Sequence, residues 1–388
     1  MKRNLFNRRN WMIAGTAALL AGCQIIPKTG PESAGTGTGP TPEPSATELP
    51  TDQTRHRVAL LVPMSGGNGD VGQSIANATT MALLDTNASN LRITTYDTSK
   101  GARSAAEKAV ADGNKVILGP LLADNVPQVL SAAAPANVPL ISFSNDTSVA
   151  GSNVFVMGHI PEQSISRTVA YARQQGAARF AALLPNGDYG QRAQSALTNA
   201  LRTYGGLLAS EERYARGNTS IVSAAERLKA RGGYDTVLIA DGARLATQAA
   251  GALREGEGAG TRLLGTELWS GEAALTRASA LRGALFSAVS DGRYRRYRES
   301  YINRFGGSPH RISTLGYDAV LMTLRVARDW RVGSRFPKSV MYSDGGFLGV
   351  DGAFRFGRNG VIQRALEVRE VRSGDVSVVS AAPAKFTD

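Results

Sequence analysis

The chain has 388 residues, 44 Lys plus Arg against 32 Asp plus Glu, and 42% hydrophobic content, a composition that supports buried cores and excludes wholesale disorder. One Cys and three His exclude an intramolecular disulfide framework, a CxxC zinc site and a histidine-rich metal centre, so neither a metal nor a cofactor is expected. The length suits two domains of ordinary size, each able to bury a core without staples.

Lys2, Arg3, Arg8 and Arg9 precede an apolar run from Trp11 to Leu20, which closes on Leu20, Ala21, Gly22 and Cys23. A basic start, a short apolar stretch and small residues at a cleavage point make residues 1–22 a secretory leader, too short for a mature membrane span. The closing tetrad resembles the bacterial lipobox, which implies that Cys23 receives a diacylglycerol and becomes the first residue of the mature chain. Gln24, rather than Asp, implies by the same resemblance an outer-membrane, lipid-anchored and periplasm-facing location. An ordinary basic leader explains Arg8 and Arg9 better than a twin-arginine signal. Residues 23–55 are rich in Pro, Gly, Thr, Ser and Glu, have no apolar face to bury, and read as a mobile tether. Its coil-like span is roughly 30 Å and its extended limit about 110 Å. Removing residues 1–23, with four positive and no negative charges, lowers the net charge from +12 to +8. Residues 24–55 hold Lys28 and Arg55 against Glu32, Glu43, Glu48 and Asp52, a net of −2, which leaves +10 on the folded part.

From Arg57 onward, short aliphatic runs alternate with Ala-rich stretches, the pattern of parallel α/β layers. Strands are expected at Val58 to Val62, Leu91 to Tyr96, Val116 to Leu118, Leu140 to Ser142 and Val154 to Val156, with helices at Ile75 to Asp85, Ala102 to Asp112 and Asn125 to Ala134. A second series has strands at Phe180 to Leu184, Leu207 to Arg213, Thr236 to Ile239, Leu263 to Gly265 and Ala284 to Val289. Its helices are expected near Glu162 to Gln175, Gln191 to Tyr204, Ile221 to Arg231 and Leu245 to Glu255. In open parallel sheets, ligands lie beyond the carboxyl ends of strands. The residues at those ends give a candidate cleft of Ser65, Gly66, Leu121, Leu122, Ser142, Ser144 and Asn145 from the first series and Tyr189, Asp241 and Glu267 from the second.

These runs carry a family resemblance over nearly the whole chain after His56. VALLVPMSGGNGDVGQSIANATTMAL, VILGPLLADNV, VPLISFSN, NGDYGQ, LGYDAV and GVDGAFRFGRNGV stand in the order and spacing of type I periplasmic binding proteins of the leucine, isoleucine and valine receptor group. The resemblance implies two Rossmann-like lobes, parallel sheets flanked by helices, with a hinge crossed three times and a ligand cleft between the lobes. Residues 56–157 and 288–345 are then expected in lobe one, and 158–287 and 346–382 in lobe two. In the family's amino-acid receptors a Ser and a Thr hold the ligand carboxylate. Those places carry Ala123 and Asp146 here, and Val71 replaces a rim aromatic. Two carboxylates 4 Å apart repel by about 4 kcal/mol at an effective dielectric near 20, so a free amino acid fits poorly. Tyr189 and Glu267 match positions that cover a ligand and take its ammonium.

The degraded anchor, lipobox and tether together resemble the lipoprotein activators of penicillin-binding proteins. That resemblance implies a non-catalytic module activating or regulating a peptidoglycan synthase. Activators from enteric bacteria carry a helical-repeat domain ahead of this fold, and the expectation here is the receptor-like fold without it. The rival expectation is a substrate-binding protein that delivers amino acids, amides or related small solutes to an ABC transporter permease.

Other motifs are weaker. Gly67, Gly69 and Gly72 spell GxGxxG, but Pro63 to Gly66 separate them from the strand and Asp97 lies 30 residues past Gly67, too far for a dinucleotide site. No Lys has Ser three positions before it and no GxSxG occurs. Asp97, Asp146, Asp241 and Glu267 could pair for acid and base work, but lack a Cys or His partner. In Gly292 to Phe305, Tyr294, Tyr297, Tyr301 and Phe305 form a helical stripe with Arg293, Arg295, Arg296, Arg298 and Arg304 mostly on other faces. The stripe reads as core. The arginines read either as a solvated face or as a dock for an acidic protein or anionic envelope polymer, with Arg325, Arg328, Arg331 and Arg335 enlarging it and Trp330 as an anchor or a core residue. Nucleic acid is not expected as a partner of an exported chain.

Overall fold

The computed structural model describes residues 54–217, 219–256, 260–383 and 386; the leader, Cys23 and the tether through Gln53 lie outside the described residues. Short runs of Val, Ile and Leu with no polar alternation form strands buried on both faces, the condition for a parallel sheet covered by helices. The first series is β1 (His56–Val62), α1 (Gly69–Asp85), β2 (Leu91–Asp97), α2 (Ala102–Ala111), β3 (Val116–Leu118), α3 (Val126–Ala133), β4 (Leu140–Ser142) and β5 (Val154–Val156). Its five strands are all parallel, in the order β2-β1-β3-β4-β5.

The second series runs α4 (Pro161–Gln174), β6 (Arg179–Pro185), α5 (Asp188–Tyr204), β7 (Leu207–Tyr214), α6 (Ser220–Arg231), β8 (Thr236–Ile239), α7 (Ala243–Arg254), β9 (Arg262–Leu264), α8 (Ala274–Arg277) and β10 (Leu285–Ala288). The chain then returns to the first lobe with α9 (Tyr294–Phe305) and α10 (Thr314–Ala327), forms β11 (Phe347–Gly349), β12 (Gly352–Phe356) and β13 (Ile362–Arg364), and ends with β14 (Glu367–Val371) and β15 (Val376–Ser380). The second sheet has the order β15-β14-β10-β9-β8-β6-β7, in which β14 runs antiparallel to both β10 and β15. The expected strands and helices are all present, displaced by a residue or two at most of their ends and by more at the start of α1.

One assignment is corrected. Residues 346–364 were expected in lobe two, but the antiparallel unit β11-β12-β13 buries Phe347, Phe354, Phe356 and Ile362 in the lobe-one core. Phe356 meets Phe155 edge-on at 5.4 Å, and Val156 N–H donates to Gly360 O at 2.8 Å. Burial of each such aromatic is worth about 1.5–3 kcal/mol, which fixes the unit to the far side of β5. Only β14 and β15 join the second sheet. Trp330 is core as well, stacked on His56 at 4.1 Å.

The two lobes open with the same five-residue pattern. Gly69-Asp70-Val71-Gly72-Gln73 starts α1 and Gly187-Asp188-Tyr189-Gly190-Gln191 starts α5. A Cβ on Gly72 would lie 1.7 Å from Pro63 O, and one on Gly190 1.8 Å from Pro185 O. Each helix therefore starts against a proline carbonyl at or just past the end of its strand, which places Val71 and Tyr189 at corresponding positions. The third glycine of the GxGxxG pattern thus serves helix–strand packing. We expect Gly72→Ala to cost about 2 kcal/mol or more through this overlap. Gly67→Ala, with nothing within 4 Å of its Cβ, should stay within about 0.5 kcal/mol. Urea denaturation of both variants measures this, and coincident midpoints would contradict it.

Candidate functional site

The carboxyl ends of β1, β3 and β4 in lobe one and of β9 in lobe two supply most of the loops around a cavity of about 480 Å³. Lobe one contributes Asn68, Val71, Leu121, Leu122, Phe143 and Ile312, which make its wall largely apolar, together with Ala123, Ser144 and Asn145. Lobe two contributes Glu267, Leu268, Ser270 and Glu272. Of the residues expected at the cleft, Leu121, Leu122, Ser144, Asn145 and Glu267 come together here.

The remaining expected residues sit elsewhere. The Ser65 hydroxyl lies 2.7 Å from that of Ser99, and Gly66 is in the exposed turn before α1. Ser142 is fully buried and donates to Pro120 O at 3.0 Å, shaping the loop from within. Asp241 accepts from Tyr214 at 2.8 Å, from Arg216 Nε at 2.9 Å and from Gly242 N–H at 2.8 Å, so its acceptors are spent inside lobe two. Tyr189 stands beside Glu267: its hydroxyl is 3.0 Å from Glu267 Oε1 and 2.9 Å from Thr266 Oγ1. With one hydrogen, it donates to the carboxylate and accepts from the threonine.

Glu267 is partly exposed as a residue, but its Oε2 is out of solvent contact and has no hydrogen-bond partner among the described residues. Burial is the main reason its carboxyl is pushed up to about 7, although the Tyr189 hydroxyl favours the charged form. Among the described residues the four carboxylates considered for catalysis share no hydrogen-bond partner. Asp97 accepts from Met64 and Ser99, and Asp146 from Ser148. Among the described residues no group of three or more His, Cys, Asp or Glu is placed to hold a metal ion.

Arg192, which the sequence reading missed, bridges the lobes. It grips Glu162 with both ends of its fork, at 2.7 and 2.8 Å, and donates across the cleft to Asn145 O at 2.7 Å. A sequence signal beside it is the repeated five-residue pattern, whose lobe-two copy Arg192 directly follows. A second missed feature lies at the hinge. There Asp351, fully buried, receives His159 Nε2 at 2.8 Å, Arg311 Nη1 at 2.7 Å and the Thr314 hydroxyl at 2.9 Å, with Arg364 Nη1 at 4.0 Å. Burial opposes the Asp351 charge, but Arg311, His159 and Arg364 hold its carboxyl well below the usual range. Its neighbour Asp318 is raised to about 7, by burial first and then by Asp351.

This architecture has relatives. A family model described as periplasmic binding protein matches residues 56–375. The chain belongs to the periplasmic binding protein family. It is 30% identical over 165 residues to an uncharacterized protein of Rickettsia prowazekii (strain Madrid E), covering 42% of this chain and 44% of that one. It is 28% identical over 214 residues to the penicillin-binding protein activator LpoA of Pectobacterium parmentieri (strain WPP163), covering 55% of this chain and 29% of that one. The matches thus span less than half the length of these two curated relatives. Among solved structures, a putative branched-chain amino acid ABC transporter protein of Rhodospirillum rubrum superposes with a TM-score of 0.73 at 18% identity, over 84% of this chain and all of that one. A solute binding protein of Rhodopseudomonas palustris BisB5, in complex with 3,4-dihydroxy benzoic acid, gives 0.67 at 18% identity, covering 85% and 97%. At these identities the likeness to solved structures is one of fold. As a periplasmic binding protein the chain is of a ligand-binding type, and among the described residues no helix is long and apolar enough to cross a membrane.

The raised Glu267 carboxyl has a pH signature. A carboxyl whose folded value lies above its ordinary 4.5 favours the folded state fully below that value. The contribution is lost as pH rises toward about 7, a total on the order of 3 kcal/mol. Denaturation midpoints at pH 5 and pH 7.5 should therefore differ less for Glu267→Gln than for the native chain. Equal differences in the two proteins would show that the Glu267 carboxyl is not so held.

Proposed function

We propose that this chain is a non-catalytic, outer-membrane-tethered and periplasm-facing lipoprotein that activates or regulates a peptidoglycan synthase of the penicillin-binding type. The observation that carries the proposal is Arg192 donating to Asn145 O. Asn145 is at the end of β4, among the loops where the resemblance put a ligand-holding hydroxyl, and here an intramolecular arginine engages its carbonyl. Ala123, lining the same cavity, offers only a methyl, and Asp146 uses its carboxylate to hold Ser148 N–H. A free amino acid finds no carboxylate anchor among these groups. The 28% identity to a penicillin-binding protein activator supports the same direction. Export and anchoring at Cys23 belong to this proposal and rest on residues 1–23 alone.

The competing reading, a solute receptor for an ABC importer, is favoured by the cavity of about 480 Å³ and by the free Oε2 of Glu267 beside Tyr189, a fitting place for an ammonium or amide N–H.

Cross-linking in envelope membranes followed by affinity purification separates the two. The expected result is recovery of a peptidoglycan synthase; recovery of transporter permease subunits alone would contradict the proposal. In parallel, titration calorimetry with amino acids and their amides should give dissociation constants weaker than about 1 mM, corresponding to less than about 4 kcal/mol of binding. Micromolar binding would favour the importer reading.

A further inference from the structure

The outer face of lobe one carries a groove of about 480 Å³ between α1, α9, α10 and β11, distinct in its lining from the inter-lobe cleft. Its floor is Met81, Tyr297 and Val350, and its rim includes Leu321 and Leu348. Leu348 is 58% exposed, and Leu84, one turn after Met81 on α1, is 64% exposed. Large aliphatic side chains left in water beside an apolar floor mark a surface that is covered in use.

The charge around this groove is uncompensated. Arg296 lines it from α9 and Arg293 from the residue that caps this helix. Arg293 is held by Gly349 O at 2.8 Å, while Arg296 is exposed and has no partner among the described residues. On α10, Tyr317, Leu321 and Arg325 recur every four residues, so they share one face, and Arg328 extends it by a further turn. Arg325 and Arg328 are exposed and likewise without partners among the described residues. The acidic lining residue, Asp85, is taken by Arg304 at 2.6 Å and by the Tyr317 hydroxyl at 3.0 Å. From Asp291 to Asp344 the chain carries eleven Lys and Arg against five Asp and Glu.

Both walls are rigid. Tyr297 packs edge-on against Tyr317 at 5.7 Å, and its hydroxyl meets Ser313 Oγ at 2.6 Å, so the two helices that carry the arginines are packed against one another. Arginine flanking exposed aliphatics on a preformed surface is the composition of a protein interface. An anionic polymer would answer the guanidinium groups and leave the leucines uncovered. A segment with acidic residues on one face and apolar residues at helical spacing on the other covers both.

We infer that this groove docks an acidic, amphipathic segment of a partner protein. The inference rests on the reading of the chain as a partner-docking module, and it names the surface and the chemistry of what it receives. It replaces the full row Arg293, Arg295, Arg296 and Arg298 by a site to which Arg293 and Arg296 contribute. Arg295 and Arg298 line a different hollow, shared with lobe two.

The test places the photo-cross-linking residue p-benzoylphenylalanine at Leu348 in the full chain, with a control at Val222 on lobe two, and sequences the captured peptides from envelope membranes by mass spectrometry. The expected product at position 348 is a partner peptide with an excess of Asp and Glu and apolar residues three and four apart. Arg296→Glu combined with Arg325→Glu should lower its yield at least tenfold, with the circular dichroism melt unchanged, and Leu84→Ser should lower it several-fold. Capture of the synthase from other positions but not from 348 would overturn the groove while leaving the proposed function intact. Failure to capture a synthase from any position would overturn that function itself. A yield lowered by the Arg variants but indifferent to Leu84→Ser, or a captured peptide without acidic excess, would also overturn the inference.

Discussion

Asp351 is fully buried, and two arginines and a histidine converge on it from separate parts of the chain. His159 belongs to the first crossing between lobes, Arg364 to the third, and Arg311 to the entrance of α10. Arg311 also reaches Asp291 in the second crossing at 3.3 Å, and Asp291 in turn pairs with Arg369 next to the third. One carboxylate therefore connects, directly or through Arg311, the three strands of chain on which the lobes could pivot. Such a cluster is expensive to desolvate, and removing one member of a buried pair typically costs about 3–5 kcal/mol, because the remaining charge is left uncompensated. The hub is thus better understood as a device that specifies hinge geometry than as a source of net stability.

This constraint orders the rest of the molecule. With the crossings fixed, the loops at the strand ends are brought close enough for Arg192 of lobe two to reach Asn145 of lobe one. The cleft is then a bridged space between a largely apolar wall and one bearing Glu267 and Glu272, with His159 and Arg311 of the hub also in its lining. The outer groove shares the same segment, since Gly349, whose carbonyl holds Arg293, lies two residues before Asp351. Arg311 adds a further tie by lying over the Tyr294 ring at 4.2 Å. Hinge and cleft share Arg311, which lines the cleft and binds Asp351, and the outer groove adjoins the same segment through Gly349.

Local pattern made most of the fold readable. The runs that became β3, β4, β5 and β8 are short and mostly apolar, and burial on both faces is what such runs require. The aromatic stripe of α9 was readable for the same reason: Tyr297 and Tyr301 are buried where helical spacing put them. The lobe membership of β11 to β13 was not, because alternating Phe and Gly marks a tight antiparallel unit without saying which core receives its aromatics. At the cleft, Leu121, Asn145 and Glu267 were found from their places at strand ends. Arg192 and the hub were not, because their meaning depends on distant partners: His159 and Asp351 are 192 residues apart, Arg192 and Asn145 47. Asp241 was misplaced because a strand-end carboxylate looks the same in sequence whether it faces a cleft or, as here, a tyrosine and an arginine of its own lobe.

The central claim is that the Asp351 hub sets the relation of the lobes. Spin labels at Arg103→Cys in lobe one and Glu226→Cys in lobe two, in a chain carrying Cys23→Ser, allow the inter-lobe distance distribution to be read by pulsed electron resonance. The account predicts a narrow distribution with Asp351 present and a markedly broader one in Asp351→Asn under conditions where both proteins remain folded. Two equally narrow distributions with the same mean would contradict it.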